Sequence, residues 1–318
     1  MASVGFSASF GFVTKPSIRT SDWLVSQGCG PGDAFQWRVI DNPRAVSAED
    51  YTKPAIAGSG TIACGLAACA SVAGKAVLLA RSDASAWKAE EQAQTLSAKV
   101  DGGEPRNIKV TTDPDDVSGS DLVIEAVVED AQVKADLFRT LAEAVPGADL
   151  ATTTSSLGVA ELGEASGVPE RVFGLHPFNP VVRMELVELC VPHAARKDIG
   201  SRARAFCEAI GKTVVEVPDE PGFVVNRLLF PYLFDAVRLL EQTGMRPEDV
   251  DRCMTLGAAY PMGPLALIDL VGIDVAIAIG EALHADSGEE HHRPPGRLVT
   301  LAAEGKLGRK SGSGFYDY

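Results

Sequence analysis

A glycine turn between an apolar run and an alanine-rich run constrains the fold of this chain more than any other feature. Ala55-Ile56-Ala57 ends in Gly58, and Gly60 precedes the alanine-rich stretch from Thr61 to Ala73. Gly58 permits a tight turn, Gly60 lets the backbone approach a pyrophosphate, and Ala63 keeps the third position small. Free N–H groups and the dipole at a helix N-terminus attract anions. The turn therefore predicts a dinucleotide site at the start of a βαβ unit.

Short apolar runs alternate with helical patterns through the middle of the chain. The runs that we interpret as strands lie at residues 55–57, 76–80, 121–125, 150–152, 172–174 and 213–217. Helical patterns between them include residues 84–99 and 131–144. Continuous apolar strands that alternate with helices indicate a parallel sheet covered on both faces. In this context we expect Gly58, Gly60, Thr61 and Ile62 to contact the cofactor.

Beyond Pro218 the pattern is helical throughout. The predicted helices lie at residues 224–241, 247–256 and 265–283. Pro247 followed by Glu248 and Asp249 is a helix-start signature, with acids in the first turn. The predicted fold is therefore α/β, a Rossmann-type, mainly parallel sheet domain followed by an all-helical C-terminal domain. We divide the chain into an N-terminal extension of unknown role (1–52), a dinucleotide-binding domain (53–218) and a helical domain (219–318).

The charge balance excludes several classes of partner. Lys and Arg number 29 against 43 Asp and Glu, a net charge of −14 with a pI of about 4.8. Such a chain is a poor ligand for nucleic acid or an anionic membrane surface, and no apolar run reaches the roughly 18 residues of a membrane span. The six scattered cysteines form no CxxC pair and no zinc-finger spacing. We therefore predict no metal site and a reducing, cytoplasmic location.

The end of the second predicted strand indicates which dinucleotide binds. An acid at this position binds the ribose hydroxyls of NAD, whereas an Arg accommodates the phosphate of NADP. Here the strand ends at Arg81 and Ser82, a cation and a hydroxyl. The sequence therefore favours NADP(H). NAD(H) stays open, because Asp83 would serve as the ribose acid if the strand ran longer.

A histidine in a proline-bracketed loop is a candidate general acid/base. His176 follows a predicted strand of the parallel sheet and precedes Pro177. Glu188 lies further along, on an alternating stretch that could return beside it. A carboxylate that binds an imidazole fixes its tautomer and orientation, as proton transfer requires. The alternative is that His176 is only structural.

These motifs belong to a longer series that resembles the 3-hydroxyacyl-CoA dehydrogenase family, from about Lys53 to Tyr318. The segments that carry the resemblance are TSSL at 154–157, GLHPFNP at 174–180, PGFVVNRLL at 221–229, GAAYPMGP at 257–264 and GSGFY at 312–316. A series of spaced motifs is far more specific than the glycine turn alone.

The resemblance implies roles for individual positions. His176 matches the catalytic acid/base, and Glu188 matches its orienting carboxylate. Ser155 matches the hydroxyl that binds the reacting oxygen or the thioester, and Asn226 matches a polar residue that positions substrate. Without the resemblance, Ser155 would be read as a helix cap and Asn226 as a polar contact at a helix start.

The resemblance also implies a reaction and an assembly. Glu129 and Lys134 match positions near the nicotinamide and its ribose. The implied activity is hydride transfer between a nicotinamide cofactor and C3 of an acyl thioester, forming the L (3S) alcohol in the reductive direction. The implied assembly is a homodimer that forms through the helical domain.

Three departures from the family pattern modify this expectation. Arg81 replaces the usual acid, and Thr153 stands where the family commonly has Asn. The segment between the second strand and Asp121 is short, so the arm that holds CoA in many members is missing, and only Lys88 and Lys99 remain as cations on its helix. We therefore expect a reductive enzyme that takes either acyl-CoA or an acyl group on a carrier protein. The alternatives are a dehydrogenase of a free hydroxy acid or sugar acid, and a cofactor-binding protein without turnover.

Overall fold

The computed structural model describes residues 50–318. Most of the predicted N-terminal extension, residues 1–49, lies outside the described residues. The described residues belong to one compact unit, so the division of this unit at Pro218 stays a prediction.

A single eight-stranded sheet organises the first part of the described chain. Its strands are β1 (Pro54–Ala57), β2 (Ala76–Leu79), β3 (Ile108–Thr111), β4 (Leu122–Glu125), β5 (Asp149–Thr152), β6 (Val172–Pro177), β7 (Leu186–Cys190) and β8 (Thr213–Glu216). They lie in the order β3-β2-β1-β4-β5-β6-β7-β8. Strands β1 to β6 are parallel, β7 is antiparallel to β6, and β8 is parallel to β7. The first six strands have the Rossmann order, which confirms the predicted mainly parallel sheet.

Within residues 50–318, five α-helices accompany the sheet and five follow it. The first group is α1 (Thr61–Ala73), α2 (Asp83–Ser97), α3 (Ala131–Ala144), α4 (Val159–Ser166) and α5 (Ile199–Ala209). The second group is α6 (Val225–Thr243), α7 (Pro247–Gly257), α8 (Pro264–Val271), α9 (Ile273–Ser287) and α10 (Gly296–Ala303). The helical C-terminal part is thus confirmed.

One predicted helix was wrong, and the sequence patterns missed several elements, among them β3, α4, α5 and α10. The helix expected at residues 265–283 is two helices, because Gly272 adopts a φ of +108°, which ends α8 before α9 begins. Strand β3 was not predicted, because its four residues IKVT lie between proline-led turns and are too few to show an alternating pattern.

Three apolar clusters hold these layers together. One face of the sheet packs around residues such as Leu66 and Phe206, and the other face packs around Phe138. The helical part has its own cluster around Phe230 and Phe234. A fully buried side chain of this size stabilises the fold by about 1.5–3 kcal/mol. Within residues 50–318, no helix has the length and apolar character needed to cross a membrane.

Candidate active site

The glycine turn opens onto a cavity of about 880 Å³ at the carboxyl ends of the central strands, the usual ligand position in such sheets. Gly58 has a φ of +148°, and a Cβ there would collide with the Ala126 carbonyl. Gly60 precedes α1 and has open space where a Cβ would be. Thr61 and Ile62 also line the cavity. The turn therefore leaves room for a ligand against the amides at the start of α1.

The second strand ends near a cation that faces this cavity. Strand β2 ends at Leu79, and Arg81 is an exposed lining residue that forms no hydrogen bond or ion pair with the described residues. Ser82 caps α2, where its Oγ accepts a bond from the Ser85 amide (3.4 Å), and it is not a lining residue. Asp83 already belongs to α2 and accepts a bond from Thr112 Oγ1 (3.2 Å). The longer strand that would turn Asp83 into a ribose acid does not form.

Glu129 organises the loop that follows β5. Its Oε1 accepts bonds from Thr154 Oγ1 (2.6 Å) and from the backbone amides of Ser155 (2.8 Å) and Ser156 (3.0 Å). Its Oε2 lies 3.3 Å from Lys134 Nζ. Glu129 and Ser155 also line the cavity. The carboxylate therefore fixes the backbone that presents Ser155.

Lys134 lies beneath Glu129 and is fully buried. Asp130 caps α3, and Lys134 follows one turn later. Its ammonium binds Glu125 Oε1 (2.7 Å) and Oε2 (3.0 Å), and Thr152 Oγ1 donates to Glu125 Oε2 (2.8 Å). Lys134 is not among the cavity-lining residues. Inside the protein, the Lys134 ammonium is therefore paired with the carboxylates of Glu125 and Glu129.

The environment of Glu129 leads to a testable pH dependence. Burial by itself raises the pKa of Glu129, but the Lys134 charge and the donors of Thr154, Ser155 and Ser156 outweigh it and hold the pKa below its usual value. The carboxylate therefore stabilises the fold fully at a pH above its usual pKa, and this stabilisation is lost as the pH falls through its lower pKa in the folded state. In Glu129→Gln, we expect the unfolding free energy to decrease less steeply as the pH is lowered, measured by urea unfolding between about pH 6 and pH 3.

The control for this experiment is Glu143→Gln, which removes an exposed carboxylate on α3, the helix that carries Lys134. Glu143 forms no hydrogen bond with the described residues. In this variant the unfolding free energy should change with pH as it does in the parent. If the unfolding free energy of Glu129→Gln decreased with pH as steeply as that of the parent, the Glu129 carboxylate would not supply this stabilisation.

His176 and Glu188 form a buried pair across neighbouring strands. They are directly opposite each other in the antiparallel register of β6 and β7, and His176 Nδ1 lies 2.8 Å from Glu188 Oε2. The other carboxylate oxygen, Oε1, accepts bonds from the amides of Val224 (3.0 Å) and Val225 (2.9 Å). The contact suits the tautomer in which Nδ1 carries a proton and donates it to the carboxylate oxygen, which leaves Nε2 for chemistry.

The remaining two predicted catalytic residues lie on the segments that meet at this pair. The Ser155 carbonyl accepts a bond from the Gly222 amide (3.1 Å), and the Ser155 hydroxyl has a long bond to Glu129 (3.4 Å). Asn226 is the second residue of α6 and follows the Val224 and Val225 amides that bind Glu188. Its carboxamide forms no hydrogen bond with any group in residues 50–318 and is free for a ligand.

Sequence reasoning missed two contributors to this site. Glu125 was read only as the end of a strand, although its carboxylate anchors Lys134. Phe223 was read only as part of a motif, although its ring lies 5.4 Å from the His176 ring and its φ is +45°. A charged residue at the end of a buried strand could have signalled Glu125, whereas nothing in the local sequence signals the Phe223 backbone.

Comparison with family models identifies two matching domains. The model described as "3-hydroxyacyl-CoA dehydrogenase, NAD binding domain" matches residues 53–220, and the model for the C-terminal domain of the same family matches residues 222–318.

Individual relatives agree with these models. A 3-hydroxybutyryl-CoA dehydrogenase of Mycobacterium tuberculosis is 44% identical over 211 residues, which cover 65% of this chain and 74% of that protein. The human mitochondrial hydroxyacyl-coenzyme A dehydrogenase is 44% identical over 205 residues, which cover 64% of this chain and 65% of that protein. The crystal structure of M. tuberculosis FadB2 superposes with a TM-score of 0.81 at 36% identity, covering 85% of this chain and 99% of that one. For the (S)-3-hydroxybutyryl-CoA dehydrogenase PaaH1 of Ralstonia eutropha the TM-score is 0.79 at 32% identity, with 85% and 99% covered.

Proposed function

The chain belongs to the 3-hydroxyacyl-CoA dehydrogenase family, and from this premise we propose that it is an oxidoreductase that interconverts 3-hydroxyacyl and 3-oxoacyl thioesters, working as a reductase. The observation that carries the proposal is the buried His176–Glu188 pair next to the loop that presents Ser155. The glycine turn and its cavity fit a nicotinamide dinucleotide. When bound, this cofactor supplies or accepts the hydride.

The protein's own residues handle the proton. In the reductive direction, His176 as imidazolium donates its Nε2 proton to the C3 oxygen of the substrate, where negative charge develops. In the oxidative direction, neutral His176 accepts the hydroxyl proton at the same atom. Glu188 keeps Nδ1 protonated through the 2.8 Å contact. Acid/base assistance of this kind contributes about 10²–10⁴ to the rate.

Two fixed polar groups complete the proposed site. The Ser155 hydroxyl and the Asn226 carboxamide are donors for the reacting oxygen or the thioester carbonyl. Glu129 holds the Ser155 backbone, and the start of α6 holds Asn226. Donors that are oriented before the reaction stabilise developing charge without reorganisation.

We propose that the cofactor is NADP(H), because Arg81 lines the cavity and has no hydrogen-bond or ion-pair partner among residues 50–318. Charge-assisted bonds contribute about 1.5–3 kcal/mol, or roughly 10–100-fold in affinity. We therefore expect Arg81→Asp to raise the NADPH dissociation constant by roughly 10–100-fold and to leave that of NADH equal or lower, measured by isothermal titration.

The matched control is Arg106→Asp, which replaces another exposed Arg, one that is not among the lining residues. Arg106 pairs only with Glu104 among the described residues. Its NADPH affinity should match that of the parent. An Arg81→Asp variant that binds NADPH within a factor of about two of the parent would contradict the preference.

The carrier of the acyl group is the second open property. Helix α2 ends at Ser97 and the chain returns to the sheet at Ile108, without a long helical arm. Lys88 and Lys99 are the cations of this segment that lack an ion-pair partner among the described residues. We propose that the enzyme accepts an acyl group on a carrier protein as well as on CoA.

One steady-state comparison tests the function. Acetoacetyl-CoA and the same acyl group on a carrier protein are assayed with NADPH and NADH in turn, and a set of free hydroxy acids and sugar acids is assayed with NADP⁺ and NAD⁺ in turn. We expect turnover of the thioesters with NADPH. Turnover of only the free acids would replace the proposed function, and efficient NADH-linked turnover of the CoA substrate alone would overturn the NADP and carrier assignments.

We further propose a cytoplasmic homodimer with its domain boundary near Pro218. The five described cysteines are free, which agrees with a reducing compartment. Apolar side chains such as Leu239, Met245 and Leu256 are exposed on the helical part and would suit a subunit interface. Sedimentation of the full chain at a dimer mass is the expected result.

A further inference from the structure

We propose that Phe223 is a positioning residue, which holds the linker between β8 and α6 on the His176–Glu188 pair and thereby assembles the active site. The inference rests on the proposed function for its kinetic consequence only. It concerns residues 218–224, which we call the linker. These residues include none of the four proposed catalytic groups, yet they contact or adjoin all four.

The linker backbone is held in a conformation that its sequence does not favour. Gly222 has a φ of +77°, which suits glycine, but Phe223 follows with a φ of +45° and carries a bulky side chain. A non-glycine residue in the left-handed region persists only where its surroundings over-determine it, and such residues cluster at functional sites. The Phe223 side chain is 3% exposed, so packing supplies part of that restraint.

The Phe223 ring packs directly on the proposed acid/base. Its centroid lies 5.4 Å from that of the His176 imidazole, and Phe178 contacts the same imidazole edge-on at 4.7 Å. Two aromatic contacts and the Glu188 bond therefore restrict rotation of the imidazole. They also keep water from the buried Nδ1 side of the ring, because His176 and Glu188 are both buried.

The turn at Phe223 also aims two donors at Glu188. The next two amides, those of Val224 and Val225, both donate to Glu188 Oε1. This leaves Oε2 for His176 Nδ1. An ordinary right-handed or extended backbone at Phe223 would redirect these amides. Hence the left-handed residue couples the position of α6 to the orientation of the imidazole.

The linker reaches the other two catalytic residues as well. The Gly222 amide donates to the Ser155 carbonyl (3.1 Å), and the Arg227 amide donates to the Gly222 carbonyl (3.1 Å) at the start of α6, where Asn226 lies. Asp219 accepts bonds from the amides of Val159 and Ala160 and so ties the linker to α4. Releasing Phe223 would therefore loosen the whole site rather than one residue.

The experiment compares Phe223→Gly, which relieves the backbone and removes the ring, with Phe223→Leu, which retains apolar volume if the glycine variant does not fold. The matched control is Ala259→Gly, because Ala259 is the other described non-glycine residue with positive φ (+57°) and lies exposed in the helical part. We expect kcat to fall by about 10–100-fold in Phe223→Gly and by about 3–10-fold in Phe223→Leu. The cofactor dissociation constant should stay within about twofold in both, and Ala259→Gly should keep the parental kcat.

A second readout is independent of turnover. In histidine-labelled ¹⁵N NMR spectra, the His176 Nδ1 proton, identified by its loss in His176→Gln, should be protected from solvent exchange in the parent and exchange faster in both Phe223 variants. A folded variant with parental kcat and a parental Nδ1 signal would overturn the positioning role. A parent that does not turn over 3-oxoacyl thioesters would overturn the proposed function, while the NMR comparison would still decide the role of Phe223.

Discussion

Replacing His176 by Gln is expected to lower kcat for thioester reduction by about 10²–10⁴, the range that general acid/base catalysis contributes. Gln retains a polar group in a similar volume but has no proton that it can transfer at neutral pH. The nearby donors Ser155 and Asn226 remain, so residual turnover above the uncatalysed rate should persist. Steady-state kinetics with saturating cofactor measure the effect.

Glu188→Gln should show a smaller loss of kcat, because the amide still contacts Nδ1 but leaves the tautomer unfixed. Cofactor affinity in both variants should match the parent, since neither residue lines the cavity that contains the glycine turn. A His176→Gln variant with parental kcat would remove the acid/base assignment. A parallel loss of cofactor affinity would instead indicate that the variant is misfolded.

The largest expected effect on stability comes from Lys134→Met. This change leaves Glu125 and Glu129 without the ammonium that lies between them (2.7 and 3.3 Å). Breaking a buried ion pair by removing one partner typically costs about 3–5 kcal/mol. We expect the unfolding free energy, measured by urea denaturation, to fall by roughly that amount.

The double variant Glu125→Gln with Lys134→Met should recover part of this loss, because the uncompensated buried charge is removed. The exposed ion pair between Lys109 and Asp116 gives a comparison, and Lys109→Met should change stability far less. If the Lys134 and Lys109 variants lost the same small free energy, Lys134 would not have the structural role that its burial indicates. Direct cofactor contact, as the family resemblance implied, would then be the better assignment.

Much of the fold could be predicted because local pattern and tertiary structure agree. The glycine turn, the alternation of apolar strands with helices and the helical stretch after Pro218 are all read from short windows, and the structure contains them. The His176–Glu188 pair could also be anticipated, because its two residues lie on a hairpin of adjacent strands. Such contacts depend on spacing along the chain more than on distant packing.

The remaining features depend on groups far apart in sequence. The Ser82 hydroxyl caps α2, which was not expected, because the strand ends earlier and the helix begins at Asp83. The contact of Ser82 with the cofactor stays a prediction. The bonds of Glu188 to Val224 and Val225 join a strand to a later helix. The backbone of Phe223 is set by these bonds and by packing, so no local preference of a phenylalanine predicts it.

The cavity next to the glycine turn has a consequence for protein engineering. Its lining residues all lie between Ala57 and Ser155, before the histidine, the linker and the second group of helices. The cofactor cavity and the His176–Glu188 pair therefore lie on successive stretches of the chain. We expect a library confined to the cavity-lining residues to change cofactor preference while the buried His176–Glu188 pair keeps its sequence.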